Sequence, residues 1–479
     1  MTAASFARHR WLALCVLCLG VLMIVLDTTI VNVALPSIRA DLGFTETSLV
    51  WVVNAYMLSF GGFMLLGGRL GDLYGHRRMF LAGLALFTLA SAACGLAHSQ
   101  VMLVAARAVQ GLGGAVVSAI ALSLIMNLFT EPAERAKAMG VYGFVCAGGG
   151  SIGVLLGGVL TSALDWHWIF LVNLPIGVLV CALCLWLLPP GRGTAADATL
   201  DWPGAIAVTA SLMLAVYAVV GANEMGWTSP RTLGLLATAF ALLLVFLVIE
   251  ACVAHPLMPL SLFRLRSVAV TNLMGVLWAA ALFAWFFIAA LYMQLVLGFD
   301  AMRVGLAFLP ANLIMALFSL GLSARIVMRF GLRRPLSVGL LIAAAGLLWF
   351  AHAPAQGEMM RDIVPGMLLL GLGAGMAFNP LLLAAMSEVS PSESGLASGV
   401  VNTAFMMGGS LGLAVLASLA ASRTSDAILN GLLQPEAYTV GFQLAFAVGA
   451  IFAGVAALMS WLLREPAGPG SAGAMPAAH

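Results

Sequence analysis

Charge is scarce in this chain. Only 8% of its 479 residues are Asp, Glu, Lys or Arg, where a soluble domain carries about 25%. Hydrophobic residues make up 62%, and no water-soluble fold can bury that much apolar surface, so lipid must be the solvent. The net charge of +2 is too small a basic excess to argue for nucleic acid. A phosphate loop of the form Gly-x-x-x-x-Gly-Lys-Ser/Thr is missing, as are a His-x-x-x-His pair and an acidic metal cluster. The longest polar connections, near 189–202 and 253–266, are too short to hold a nucleotide-binding domain. These absences argue against a primary pump, an enzyme, a metal site or a cofactor. The seven cysteines include the redox-like spacings Cys15-x-x-Cys18 and Cys181-x-x-Cys184. Both lie inside apolar runs without His or carboxylate neighbours, so they read as packing residues. The first apolar run is too long for a signal peptide, contains Asp27, and lacks a cleavage site after it, so it reads as a span.

What is present is a succession of apolar runs of spanning length. Runs of about 20 apolar residues predict about 14 helices. They fall near 11–35, 48–70, 79–97, 101–125, 138–161 and 167–188, then 203–222 and 233–252. The last group falls near 267–291, 303–325, 334–353, 361–386, 398–421 and 438–462. Basic residues such as Arg77, Arg78, Arg135, Lys137, Arg264, Arg266, Arg333 and Arg334 cluster on one side of these runs. The excess of Lys and Arg places that side, and both termini, in the cytoplasm.

The chain also repeats itself. The loop Gly68 to Arg78 has a weaker copy from Arg325 to Arg334, and Gly75 aligns with Gly331 at an offset of 331 − 75 = 256. Gly43-Phe44 matches Gly298-Phe299, Gly111-Leu112-Gly113 matches Gly371-Leu372-Gly373, and Pro132-x-Glu134 matches Pro391-x-Glu393. Gly149-Gly150-Ser151-Ile152-Gly153 matches Gly408-Gly409-Ser410-Leu411-Gly412, and all offsets stay between 255 and 260. Six spans therefore repeat as six, as in secondary transporters built from related halves. The pattern predicts an N-terminal bundle over 1–190, an inserted helix pair over 191–262, a C-terminal bundle over 263–465, and a disordered cytoplasmic tail over 466–479.

Two charges sit well inside spans. Asp27 is a lone carboxylate in an apolar helix, where ionisation is costly. Such a group can take up and release a proton, or it can be a structural carboxylate bonded to a neighbouring helix. Arg107, the only base deep in a span, must face a cavity or an acid unless it snorkels to the interface. Trp166 and Trp168 suit interfacial anchoring. His167 reads as a surface residue, and Glu250, Glu388 and Arg325 as solvated span ends. Glu224 reads as a loop residue.

These residues resemble the major facilitator superfamily, and within it the fourteen-span drug:proton antiporter family. The resemblance covers essentially the whole chain. It rests on Leu26-Asp27-Thr28-Thr29-Ile30-Val31-Asn32-Val33-Ala34-Leu35-Pro36, on the loop Gly68-Arg69-Leu70-Gly71-Asp72-Leu73-Tyr74-Gly75-His76-Arg77-Arg78, and on Arg107-Ala108-Val109-Gln110-Gly111-Leu112-Gly113-Gly114. It rests further on Gly148 to Gly158 and on Trp166 to Gly177. The implied fold is all-α, with two six-helix bundles plus an inserted pair, alternating access around a site between the halves. The implied activity is export of amphipathic or cationic drugs and toxic compounds against protons, from a monomer in the bacterial inner membrane. Lipid surrounds it, and small molecules and protons are its partners. By resemblance Asp27 and Arg107 carry proton coupling, with Arg107 tuning an acid in the proton path and Asp27 the obvious candidate. The loop residues Gly68, Asp72, Gly75, Arg77 and Arg78 would gate the cytoplasmic side. The stripe Gly149, Gly153, Gly157 and Gly158 matches the antiporter helix, but Val154 stands where the family carries proline. In the second half Met328 aligns with Asp72, and Phe405-Met406 replaces an Arg-Gln pair. Substrate-cavity candidates are Asn32, Asn54, Tyr56, Gln110, Trp278, Trp285, Phe286, Tyr292, Gln294 and Asn312. The alternatives are a proton-coupled transporter of one metabolite or lipid, and a non-transporting receptor or scaffold.

Overall fold

Backbone polar groups in hydrocarbon must be satisfied within the chain, so the apolar runs form helices. The computed structural model describes residues 3–129, 131–188, 201–253, 256–318, 322–389 and 394–463. The expected tail 466–479 and the side chains of Asp72 and Glu224 lie outside the described residues. In chain order the helices are α1 (Ala3–Leu42), α2 (Glu46–Tyr74), α3 (His76–Gly95), α4 (Gln100–Leu128), α5 (Pro132–Ala163), α6 (Trp168–Leu171), α7 (Asn173–Leu187), α8 (Trp202–Met225) and α9 (Pro230–Cys252). They continue with α10 (Arg266–Leu291), α11 (Ala301–Leu317), α12 (Ser323–Phe330), α13 (Arg333–Ala351), α14 (Val364–Met386), α15 (Ser394–Leu429) and α16 (Gln434–Met459). Among the described residues twelve helices are long and apolar enough to cross a membrane, with two shorter apolar helices at Ile152–Ala163 and Ala301–Leu317. The molecule is therefore a multi-pass membrane protein. The expected count of fourteen has full-length apolar helices in twelve of its places.

Local chemistry starts the helices where the sequence turns polar. Thr45 and Ser48 form a reciprocal capping box on α2. Ser99, Asp201, Ser229 and Asp300 cap α4, α8, α9 and α11 with side-chain oxygens.

The two halves pack by the same rules. In the first half α1 packs on α5 and α7, α2 on α4, and α3 on α4 and α7. In the second half α10 packs on α15 and α16, α11 on α14, and α13 on α14 and α16. The seam between the halves pairs α2 with α15 and α5 with α11, a relation that exchanging the halves leaves unchanged. The repeated glycines explain why the sequence signal survived. Gly43 and Gly298 both hold positive φ (70° and 68°), as do Gly75 and Gly331 (93° and 77°), and only glycine does so without strain. A Cβ on Gly113 would lie 2.6 Å from the Phe87 amide nitrogen, and one on Gly373 2.5 Å from that of Ala343. Both positions keep two helix backbones in close contact.

The inserted pair α8–α9 is not peripheral to the seam. Helix α8 lies against α2 of one half and α15 of the other. Ser418 on α15 donates to the Val219 carbonyl on α8 at 3.1 Å.

Three expectations change here. Trp166 is buried rather than interfacial, because its indole nitrogen donates to Asp41 Oδ2 at 3.0 Å. Trp168 remains exposed. Glu250 is buried rather than solvated, and its Oε2 accepts from the Met258 amide at 2.9 Å. Gly68 faces open space, so close helix approach in the basic loop falls to Gly67 and Gly71 instead.

Candidate functional site

The charges predicted to matter meet inside the N-terminal bundle. Asp27 on α1 is 0% exposed and Arg107 on α4 is 1% exposed. Arg107 Nη1 donates directly to Asp27 Oδ2, forming an ion pair. Gln110, one helical turn further along α4, donates to Asp27 Oδ1 at 2.8 Å. Asn173 at the start of α7 donates to the same oxygen at 3.2 Å. A carboxylate with three donors from two other helices is thus held in a site closed to water.

The next contacts hold the donors themselves. Ser91 on α3 accepts from Gln110 at 3.1 Å and Asn173 at 3.0 Å, and donates to the Phe170 carbonyl at 2.9 Å. Arg107 also donates to Gln110 Oε1 at 2.7 Å and, through Nε, to the Val52 carbonyl at 2.9 Å. Its guanidinium lies 4.4 Å from the Tyr56 ring centroid and 5.6 Å from that of Phe170, so both aromatic faces offer cation–π attraction. The Arg107 charge therefore has neutral partners besides Asp27. The Tyr56 hydroxyl is buried without a hydrogen-bond partner.

A glycine stripe brings α5 against the carboxylate-bearing helix. Cβ atoms on Gly149, Gly153 and Gly157 would collide with Val25, Thr29 and Ile30 of α1 at 2.9, 2.0 and 2.7 Å. One on Gly158 would lie 2.8 Å from the Ala301 carbonyl on α11. So α5 touches the Asp27 helix on one face and the other half of the molecule on the next. Val154 leaves α5 a continuous helix, without the kink a proline would impose.

The expected cavity residues separate into groups. Gln110 and Tyr56 belong to the ion-pair cluster. Asn54 bridges the seam, donating to the Ser410 carbonyl on α15 at 3.0 Å. Gln294 also crosses it, donating to the Val33 carbonyl at 3.0 Å. Asn32 bonds only to carbonyls of its own helix. Tyr292 donates to the Pro354 carbonyl at 2.6 Å. Trp285 packs with Phe286 and Phe308, and Trp278 is buried. Asn312 is buried, with its Oδ1 near Gly150 across the seam. In the basic loop, Gly75 makes the turn between α2 and α3, Arg77 donates to the Leu185 carbonyl at 2.7 Å, and Arg78 is exposed. Asn173, Ser91 and Cys94, whose thiol donates to Gln110 Oε1 at 3.6 Å, are network members that sequence reading missed. Their signal is a polar residue on the face turned toward a charge, which needs the helix neighbours to be known.

The Major Facilitator Superfamily model matches residues 17–413, and the chain belongs to that family. It is 39% identical over 467 residues to the puromycin resistance protein pur8 of Streptomyces alboniger, covering 95% of this chain and 92% of that one. It is 40% identical over 415 residues to the cephamycin export protein CmcT of Amycolatopsis lactamdurans, covering 86% and 85%. Among solved structures, a bacterial homologue of the human drug peptide transporters PepT1 and PepT2 superposes with TM-score 0.67 at 14% identity, over 94% of this chain and 97% of that one. That likeness concerns the fold.

Proposed function

We propose that this chain is a proton-coupled exporter of amphipathic or cationic drugs, working by alternating access in a bacterial inner membrane with both termini cytoplasmic. It would act as a carrier and not as an enzyme, with an N-terminal bundle to about residue 190, an inserted pair to about 262 and a C-terminal bundle beyond. The observation that carries the reading is the sealed Asp27–Arg107 pair with Gln110 and Asn173. Relatives named for puromycin resistance and cephamycin export support the cargo class.

Protonating Asp27 removes the negative half of a desolvated pair. Arg107 keeps the Val52 carbonyl, the Gln110 carbonyl and the Tyr56 ring, so its charge stays partnered. The tie between α1 and α4 weakens, and α1 can shift. Because α5 lies on α1 through the glycine stripe and on α11 through Gly158, a shift of α1 reaches the seam. Protonation and the opening of the two halves are thereby linked as one equilibrium. The loop at Gly75 would gate the cytoplasmic side, with Asp72, Arg77 and Arg78 as its charges.

The seam suits varied apolar cargo. Met57, Met406 and Met407 meet Gly61 and Gly409 there, and Phe283 and Phe378 pack edgewise on Phe405. Methionine and aromatic surface adapts to many shapes, and aromatic faces accept cations. The test is uptake of puromycin or a lipophilic cation into inverted vesicles under an imposed proton gradient. Accumulation that collapses with the gradient is expected, and gradient-independent accumulation would refute the coupling.

A further inference from the structure

A cavity of about 720 Å³ lies outside the seam, between α2, α4, α8 and the start of α9. None of the residues assigned above to proton coupling or gating lines it. It opens at the end of the molecule reached by the last turn of α1, where α2, α4 and α9 begin and α8 ends. That end carries the polar lining: Thr47, Ser48, Gln100 and Arg231. Deeper positions on the same helices are apolar: Ala55, Val104, Ala108 and Met213. From Gln100 to Ala108 the cavity descends about 12 Å along α4, at 1.5 Å per residue. It is a pocket with one polar end and an apolar shaft, built for an amphiphile.

Its charge selects which one. Arg231 is the one charged residue among the described residues lining the cavity, and it makes no ion pair with any other described residue. The nearby acid Glu46 is engaged by Arg39 at 3.4 Å. The amide of Gln100 is committed to the carbonyls of Leu42 and Gly43. An unmatched guanidinium at the mouth of an apolar shaft suits a phosphate or carboxylate oxygen. Tyr217 on α8 and Val101 on α4 line the cavity and are exposed, a surface that suits contact with lipid.

We propose that this cavity binds one anionic phospholipid from the leaflet on that face, with an acyl chain in the shaft and the phosphate on Arg231. The occupant would wedge the inserted pair against the N-terminal bundle, since α8 forms one wall and α2 and α4 the others. The site is independent of proton coupling, and its test requires no transport.

Trp51 lines the cavity and reports on it. Purified protein in neutral detergent is titrated with phosphatidylglycerol carrying brominated chains, and with brominated phosphatidylcholine. Quenching of tryptophan fluorescence should occur at about tenfold lower phosphatidylglycerol than phosphatidylcholine, because both phosphates can meet Arg231 but the choline cation of the second is repelled by it. Arg231→Ala should erase that preference, Trp51→Phe should remove the quenched component, and Ala105→Leu should block it by filling the shaft. Inorganic phosphate alone should not compete. Equal quenching by both lipids, a preference that survives Arg231→Ala, or competition by millimolar phosphate would each overturn the proposal.

Discussion

At the scale of single residues the account turns on Asp27. It has three donors and is shut off from solvent, so every change in its charge must be met by its neighbours. Removing one partner of a buried pair typically costs about 3–5 kcal/mol. Arg107→Met should therefore lower thermal stability strongly, because it leaves the Asp27 carboxylate buried without its cation, and Arg107→Lys should lower it less. An equal loss in both variants would show that the charge of Arg107 does not matter to the fold. Asn173→Leu should cost about 1–3 kcal/mol, because it strips one donor from Asp27 and one from Ser91. Denaturation midpoints of the two proteins check this. Sequence reading could find Asp27 and Arg107 because a charge stands out in an apolar run. It could find Gln110 because amides are rare there. Ser91 sits among alanines and Asn173 beside Trp166 and Trp168, and neither pattern says what the side chain faces. Tyr56, expected in a cavity, lies under the Arg107 guanidinium.

At the scale of helices, α5 is the element that would join chemistry to motion in the proposed mechanism. Its glycines let two backbones meet, and added volume must push α5 away from α1. Gly157→Leu should cost about 1–3 kcal/mol as an overpacked contact, since its Cβ meets the Ile30 carbonyl at 2.7 Å. It should also slow export more than it lowers the amount of folded protein, measured as transport per molecule. Transport per molecule equal to wild type would show that the α1–α5 contact is only structural. The turn at Gly75 makes a separate case. Its φ of 93° lies where a Cβ is strained, so Gly75→Ala should cost about 1–2 kcal/mol, read from thermal unfolding. The glycine stripe was legible in the sequence because small residues recur every fourth position. The burial of Glu250 was not, because a helix end is solvated only if nothing folds over it, and the amide of Met258 does.

At the scale of the whole molecule, the two halves obey one packing scheme. The offsets near 256 were legible because positive-φ glycines and backbone contacts tolerate no other residue. The docking of α8 across α2 and α15 was not legible, since it rests on apolar packing, on the small Gly62 against Thr209, and on a serine bonded to a backbone carbonyl, none of which stands out in the sequence. The seam is closed by Asn54 to Ser410, Gln294 to Val33, and Arg39 to Tyr438 at 3.5 Å. Loosening it with the double change Gln294→Ala and Arg39→Ala should raise amide hydrogen exchange at the end of α1 and in residues 292–296 several-fold. Unchanged exchange would place the closure elsewhere.

The central claim is that a proton on Asp27 drives export. It is tested in proteoliposomes loaded with puromycin, comparing wild type with Asp27→Asn for gradient-driven uphill transport and for gradient-free exchange of labelled drug. The account predicts that Asp27→Asn loses uphill transport and retains exchange. Uphill transport by Asp27→Asn at the wild-type rate would contradict it.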